Sequence, residues 1–137
     1  MPVVRHEQVR VARIKEIVVD ALNPPALARF WAAALDDYAV RPYSAKDLAD
    51  LASRGLTPET DPSVALDGTG PTLFFQLTRQ RKVGRNRVHL DLRCVSRADE
   101  VTRLEQLGAS VREVRQTYTV MLDPEGNEFC VQDPHPE

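Results

Sequence analysis

The side chains best suited to chemistry lie in the stretch NRVHLDLR, residues 86–93. His89 is the only histidine away from the two ends of the chain, and Asp91 follows it two positions later. An imidazole can bind a metal, act as a general base near neutral pH, or form an ordinary hydrogen bond on a strand. Side chains two positions apart on a strand share a face but sit ~6.5 Å apart. The spacing alone therefore does not join Asp91 to the imidazole.

Glu16 is the candidate acidic companion of His89. It precedes Asn23, the start of a predicted helix, by seven residues, and His89 precedes Ser96, the start of another, by the same number. Asn and Ser cap the free N–H groups of a helix start, so the two side chains fall in equivalent places on equivalent strands. A solvated carboxylate near a strand start is the alternative interpretation of Glu16.

Turn and cap signals divide the chain into two copies of one unit. The first copy has a strand in RIKEIVVDA and an amphipathic helix, then strands in AVRPY, PSVALDG and PTLFFQLT, with an extra short helix in SAKDLADLASRG. The second copy has a strand in RVHLDLRC and a helix from Ser96, then strands in ASVREVR, TYTVML and NEFCVQD. The predicted order is β-α-β-β-β in both halves.

Alternation along the first strand of each copy predicts two faces. The apolar face should lie under the helix and contains Ile17 and Val19 in the first copy, and Leu90, Leu92 and Cys94 in the second. The opposite face contains Glu16, His89 and Asp91. It lines a pocket if the sheets curl toward each other and meets water if they stay flat, and the periodicity leaves both arrangements open.

Composition indicates a soluble globular chain. It has 137 residues, of which 42% are hydrophobic and 28% charged, and a formal net charge of -2. That charge creates no global field toward nucleic acid or an anionic membrane. No apolar run approaches the ~20 residues of a membrane span, and MPVVRHEQVR lacks the apolar segment of a secretory signal. We therefore expect a cytoplasmic protein.

The stretch RQRKVGRNR, residues 79–87, holds five Lys or Arg residues between the two copies. Such a stretch can attract phosphates, and an exposed linker also needs charged residues. The acidic net charge and the lack of an aromatic side chain for base stacking favour a linker over residues 79–85. We expect no nucleic-acid or membrane partner.

Two longer stretches carry a family resemblance. NRVHLDLR, followed by a capped helix and TYTVMLDPEGNEFCV, resembles the vicinal oxygen chelate superfamily and, within it, the glyoxalase-like domains. EIVVDALNPPALARFWAAAL is similar to the first strand and helix of that family. The resemblance covers residues 12–133. It implies an α+β fold in which two paired β-α-β-β-β modules, residues 12–78 and 86–133, form curled mixed sheets around a cavity. It also implies a homodimer.

The resemblance further implies a set of site residues. Proteins of this type often hold a divalent metal with one residue from each of four strands, and these positions fall on Glu16, Gln76, His89 and Cys130. A second register for the first module aligns Gly70 with Gly126 and puts Phe74 in place of Gln76. Glu16 and His89 are then the candidate catalytic residues, and Gln76, Asp91 and Phe74 are candidate ligand-binding residues.

The donor set departs from the family pattern. Sites for nickel or iron in such proteins use histidines and carboxylates, so strict glyoxalase I or extradiol dioxygenase activity is a poor match. Zinc accepts thiolate, imidazole and carboxylate ligands, which makes a zinc site of Glu16, His89 and Cys130 chemically feasible. The alternative for Cys130 is a small buried side chain whose thiol stays protonated.

Two functions are compatible with these residues. One is a protein that binds a small organic molecule in its cavity as a metal-dependent lyase, isomerase or related enzyme of unknown substrate. The other is a binding protein without catalysis, similar to the drug-sequestering bleomycin-resistance members of the superfamily. The sequence leaves open which of the two applies.

Overall fold

The computed structural model describes residues 9–135. One sheet contains β1 (Glu16–Ala21), β2 (Ala39–Val40), β3 (Ser63–Asp67) and β4 (Thr72–Leu77). The other contains β5 (Leu90–Leu92), β6 (Ser110–Val114), β7 (Tyr118–Leu122) and β8 (Glu128–Gln132). The helices are α1 (Pro24–Ala34), α2 (Ala45–Ser53) and α3 (Arg97–Leu107), with a 3-10 turn at Pro58–Thr60. None of the helices within residues 9–135 has the length and apolar character that a bilayer crossing requires.

The two sheets have the same topology. The strand order is β1-β4-β3-β2 in the first and β5-β8-β7-β6 in the second. The first strand of each unit pairs in parallel with the last, and the other pairings are antiparallel. Both sheets are therefore mixed, and neither closes into a barrel. The predicted α+β fold, with one β-α-β-β-β unit in each sheet, is confirmed.

Each helix begins at the residue that the sequence indicated. The Asn23 side chain accepts a hydrogen bond from the backbone N–H of Ala26 at 3.2 Å, ahead of two prolines that suit the first turn of α1. Ser44 forms a capping box at the start of α2. The Ser96 side chain accepts from the N–H of Asp99 at the start of α3.

The hydrophobic core joins the two units. Trp31 of α1 and Phe129 of β8 lie with ring centroids 5.0 Å apart, and both belong to one buried cluster with residues of both sheets. Burying a large apolar side chain contributes about 1.5–3 kcal/mol to stability. The residues predicted to lie under the helices pack against this cluster: Ile17, Val19, Leu90, Leu92 and Cys94. The predicted division of strand faces is thus confirmed.

The β7–β8 turn connects the second unit to the first. Its sequence, DPEGN, spans residues 123–127, and the positive φ of 85° at Gly126 suits a residue without a side chain. The Trp31 indole donates to the buried Asp123 carboxylate at 3.2 Å. The Glu125 carboxylate accepts from the backbone N–H groups of Leu22 at 2.6 Å and Asn23 at 3.0 Å. The turn therefore holds the junction of β1 and α1.

The segment between the units is anchored by one carboxylate. Residues 79–85 form no helix or strand. Glu128, whose side chain is 11% exposed, accepts from the Lys82 ammonium at 2.9 Å, from the backbone N–H of Asn86 at 3.0 Å and from Arg112 at 3.1 Å. Burial alone would raise the pKa of Glu128. The hydrogen bonds from Lys82 and Asn86 outweigh this effect and lower the pKa from 4.5 to about 2.

Candidate functional site

The face of the second sheet that points away from α3 gathers the strongest candidates. Asp91 on β5 lies directly beside Cys130 on β8 in the parallel pairing, and Val120 on β7 lies on the other side of Cys130. Strand alternation puts these side chains on one face. His89 comes immediately before β5, so its direction is not fixed by the sheet.

His89, Asp91 and Cys130 converge. Nε2 of His89 lies 3.1 Å from Oδ1 of Asp91. One imidazole nitrogen, one carboxylate oxygen and the Cys130 sulfur all lie within 4.8 Å of one another, and this is the group of metal-ligating side chains found among the described residues. The His89 and Asp91 side chains are 44% and 54% exposed, whereas Cys130 is buried. The thiol thus forms the floor of the group and the other two side chains its open side.

The environment of Cys130 keeps its thiol protonated. Burial raises the pKa of this thiol, the charge of the nearby Asp91 carboxylate and its interaction with the thiol raise it further, and the positive charge of Arg85 opposes them only in part. A thiol in such surroundings is a weak nucleophile. The arrangement is therefore better suited to binding than to covalent catalysis by sulfur.

A cavity of about 330 Å³ covers the three side chains. Its remaining lining is mostly polar: Arg85, Asn86, Arg112, Glu113, Arg115, Tyr118, Val120, Glu128 and Gln132. Two of the arginines are paired within this lining, Arg112 with Glu128 at 3.1 Å and Arg115 with Glu113 at 3.0 Å. Arg112 was not among the predicted site residues. It lies at the bulge where the β6–β7 pairing shifts register between Val111 and Glu113.

The candidate residues of the first unit lie apart from this group. Glu16 is near Lys15, at 3.7 Å, and is not one of the three converging side chains. The Gln76 amide donates to the Asp20 carboxylate at 3.2 Å on the first sheet. Phe74 lines a separate cavity of about 260 Å³ over the first sheet, together with Arg41, Tyr43 and Asp61. The roles suggested for Glu16, Gln76 and Phe74 remain predictions.

The strand pairing distinguishes the two registers that the sequence left open. Val18 lies beside Phe74 in the first sheet, and Asp91 lies beside Cys130 in the second. Val18 and Asp91 each lie two positions after the equivalent residues Glu16 and His89. Phe74 is therefore the counterpart of Cys130, as in the register that aligns Gly70 with Gly126.

The three converging side chains match the ligand chemistry of zinc. Zinc accepts imidazole nitrogen, carboxylate oxygen and thiolate sulfur, and sites with three protein ligands keep a fourth position open for water or a substrate. Because the His89 and Asp91 side chains are half exposed, a metal held by these three residues would be reachable from the cavity. The set lacks the second histidine of an iron dioxygenase site.

A family model for glyoxalase-like domains matches residues 16–132. The chain belongs to the glyoxalase-like domain family. The predicted resemblance is confirmed. Of the motifs that suggested it, HLDL covers His89 and β5, and DPEGNEFCV covers the β7–β8 turn and most of β8. A comparison with curated protein sequences gave no match.

Several solved structures have a similar fold. A glyoxalase/bleomycin resistance protein/dioxygenase family enzyme from Burkholderia phytofirmans PsJN has a TM-score of 0.63 at 14% identity, over 90% of this chain and 100% of that one. The fosfomycin resistance protein FosX from Mesorhizobium loti gives 0.59 at 12% identity, over 90% and 92%. The trypanothione-dependent glyoxalase I of Leishmania major gives 0.58 at 12% identity, over 90% and 87%.

Proposed function

We propose that this glyoxalase-like chain binds a small organic molecule over its second sheet and that His89, Asp91 and Cys130 hold a divalent metal there. The supporting observation is the convergence of three ligand atoms within 4.8 Å of one another under a cavity of about 330 Å³. Zinc is the metal most compatible with the donor set. When bound, it would supply a Lewis acid with a coordination position open to an oxygen of the ligand.

The residues that line the cavity have different roles in this proposal. The Cys130 thiol gives up its proton when it becomes a metal ligand, since only the thiolate binds zinc. His89 and Asp91 face the cavity and would orient a ligand bound there. Arg112 and Arg115 are paired with Glu128 and Glu113. Arg85 lines the same space and favours a ligand that carries anionic or carbonyl oxygens.

The named structures of the same fold give this proposal a chemical context. They include a glyoxalase I and a fosfomycin resistance protein. We propose a lyase, isomerase or related enzyme, in which a metal held by these residues would supply Lewis-acid chemistry to the bound substrate.

Metal analysis of the native untagged protein and a set of variants tests the ligand assignment. We expect about one zinc per chain after loading, with a strong loss in His89→Ala, Asp91→Asn and Cys130→Ser. Cys94→Ser is the matched control, because Cys94 lies on the helix side of β5 and its thiol donates to the Gln132 carbonyl. Glu16→Gln distinguishes the two ligand sets. Loss of zinc in Glu16→Gln and retention in Asp91→Asn would reject the converging group in favour of Glu16, His89 and Cys130.

A second candidate is binding without catalysis, and the counterpart of Cys130 supports it. Phe74 occupies that position in the first unit and cannot ligate a metal, so the first sheet does not supply the ligand expected there. A drug-sequestering protein of the bleomycin-resistance type would retain its ligand intact after exhaustive chelation. Ligand recovery by mass spectrometry from chelated protein decides between binding and turnover.

We also propose a homodimer, in which a second chain completes the open side of the cavity. The supporting observation is that every residue of β6 is exposed, including Val114 at 71%. Sedimentation velocity at several protein concentrations tests this proposal. A monomer at all concentrations would reject it.

A further inference from the structure

An apolar recess lies between the two units, on the helix side of the sheets and apart from the cavity over Cys130. Its volume is about 120 Å³. The lining combines both units and is largely aliphatic and aromatic: Ile17, Val19, Trp31, Leu73, Phe75, Val88, Leu90 and Phe129. An engineered apolar cavity of about 150 Å³ in another protein stays free of water and binds benzene, so a recess of this size can hold a single small ring.

The recess exists because the two sheets do not join. β1 and β5 are each paired on one side only, with β4 and β8. The apolar side chains of these edge strands therefore meet across a gap instead of through a shared ladder. Trp31 and Phe129 form its inner end, where the Trp31 indole is held by Asp123. The gap is thus fixed by the same contacts that join the units.

The recess is a separate space, but it shares part of its lining with the cavity over the metal-ligating group. Asn86, His89 and Glu128 line both spaces. Glu128 is engaged by Lys82, Arg112 and the Asn86 backbone. Asp123, at the inner end, accepts from Trp31 and from the Asn127 amide. His89 is the member of the converging group that also lines the recess.

We infer that the recess binds a compact apolar group of the ligand, a single aromatic ring or a short branched alkyl chain, beside His89. The oxygen-bearing end of the same molecule lies over His89, Asp91 and Cys130. This inference rests on the proposed function for the placement of the polar end. It defines the substrate class as a small molecule with one apolar substituent next to its metal-binding oxygens.

Fluorescence quenching tests the recess without any metal. The chain has one tryptophan, and Trp31 is 5% exposed and lines the recess. Bromobenzene bound there would place a heavy atom against the indole and quench its emission saturably. Iodide, which stays in water, serves as the control quencher. Absence of saturable quenching by bromobenzene would overturn the inference.

Two variants and a control test whether the quenching arises in the recess. Val88 lies at the mouth and is 74% exposed, so Val88→Asp should leave folding intact and weaken bromobenzene binding at least tenfold. Val95→Asp is the matched control, since Val95 is 94% exposed and lies outside the recess lining. Val19→Phe fills the recess and should abolish the quenching. Equal quenching in all three variants would also reject the inference.

A pair of metal-binding probes tests whether both ends are occupied together. In the zinc-loaded chain, benzohydroxamate should bind at least tenfold more tightly than acetohydroxamate, and Val19→Phe should remove the difference. Equal affinities in the native chain would reject the joint occupancy. If the chain does not bind zinc, the proposed metal site is rejected. Bromobenzene quenching still tests, without any metal, whether the recess binds an apolar group.

Discussion

Asp91 lies between an imidazole and a thiol, and its carboxylate affects both. It approaches Nε2 of His89 to 3.1 Å, and its charge contributes to the raised pKa of Cys130. Without a metal, the residue therefore suppresses the reactivity of the thiol. With a metal, the same carboxylate would become a ligand, so one side chain has two opposite effects on the sulfur.

The first prediction follows from this effect on the thiol. Asp91→Asn removes a negative charge that disfavours the thiolate, so the pKa of Cys130 falls. A pKa lower by one gives about tenfold more thiolate at pH 8, offset in part by weaker intrinsic nucleophilicity, for a net gain of about threefold in alkylation rate. Iodoacetamide labelling followed by peptide mass spectrometry measures this rate. Cys94 is the internal control, and an unchanged or slower rate at Cys130 contradicts the prediction.

Glu128 provides the pH-dependent prediction at the residue scale. Its folded-state pKa of about 2 lies below the ordinary value of 4.5. The ionised form is therefore favoured by folding, and its contribution is complete above about pH 4.5 and is lost as the pH falls toward 2. The free energy of unfolding of the native chain should fall over this range more steeply than that of Glu128→Gln.

Urea denaturation at several pH values checks the Glu128 prediction. At neutral pH, Glu128→Gln should be less stable by about 1–3 kcal/mol, the usual cost of losing hydrogen bonds to a charged group. The difference should shrink as the pH falls. A constant difference from about pH 7 to pH 3 would contradict the prediction, since Glu128 would then not be the group that titrates.

Residue types and spacing named the candidate side chains but did not predict which of them meet. Glu16 and His89 occupy equivalent strand positions, but equivalence in a repeat relates two units by symmetry and does not bring their side chains together. The approach of Asp91 to His89 was not predictable from strand spacing, because His89 lies just before β5 and its side chain is free of the strand alternation. Only the three-dimensional arrangement places Asp91 in the group.

At the scale of elements, the DPEGN turn does more than reverse the chain. Pro and Gly at fixed positions predicted the turn itself. Its side chains also hold the first unit, through Asp123 on Trp31 and Glu125 on the backbone of Leu22 and Asn23. A sequence gives no sign of such contacts, since the partners are more than 90 residues away along the chain.

The element-scale prediction concerns this joint. Glu125→Gln keeps the shape of the side chain but weakens its hydrogen bonds to two backbone N–H groups, and we expect a loss of about 1–2 kcal/mol of stability. Chemical denaturation measures the loss. Glu105→Gln is the matched control, because Glu105 is an exposed residue of α3. Equal effects of the two variants would show that Glu125 does not support the joint.

The elements themselves were largely predictable because their signals are local. Asn23, Ser44 and Ser96 start helices at the expected positions, and apolar spacing identified the face of α1 that packs on the sheet. The register of β1 against β4 was not predictable to one position, since the long connection between these strands contains α1, β2, α2 and β3. β5 is also shorter than the apolar alternation of RVHLDLRC suggests.

At the scale of the whole molecule, the two units share one core. Residues of both sheets and of α1 and α3 belong to the same buried cluster, and Trp31 contacts Phe129 across the boundary. We therefore predict one cooperative unfolding transition. The sole tryptophan reports on the boundary, whereas far-ultraviolet circular dichroism reports on both units. Transitions at different urea concentrations would show that the units unfold separately.

The parallel pairing of the first and last strands of each unit also has a consequence for synthesis. β1 cannot pair with β4 until residue 77 has been synthesised. The side of the first unit that faces the second unit is covered only later, when Phe129 has been synthesised and can contact Trp31. At about 5–20 residues per second, this interval lasts roughly 3–10 s. During it, Ile17, Val19 and Trp31 lack their apolar cover. A nascent chain emerging from the ribosome thus carries an uncovered aromatic surface, which is the kind of surface that chaperones bind.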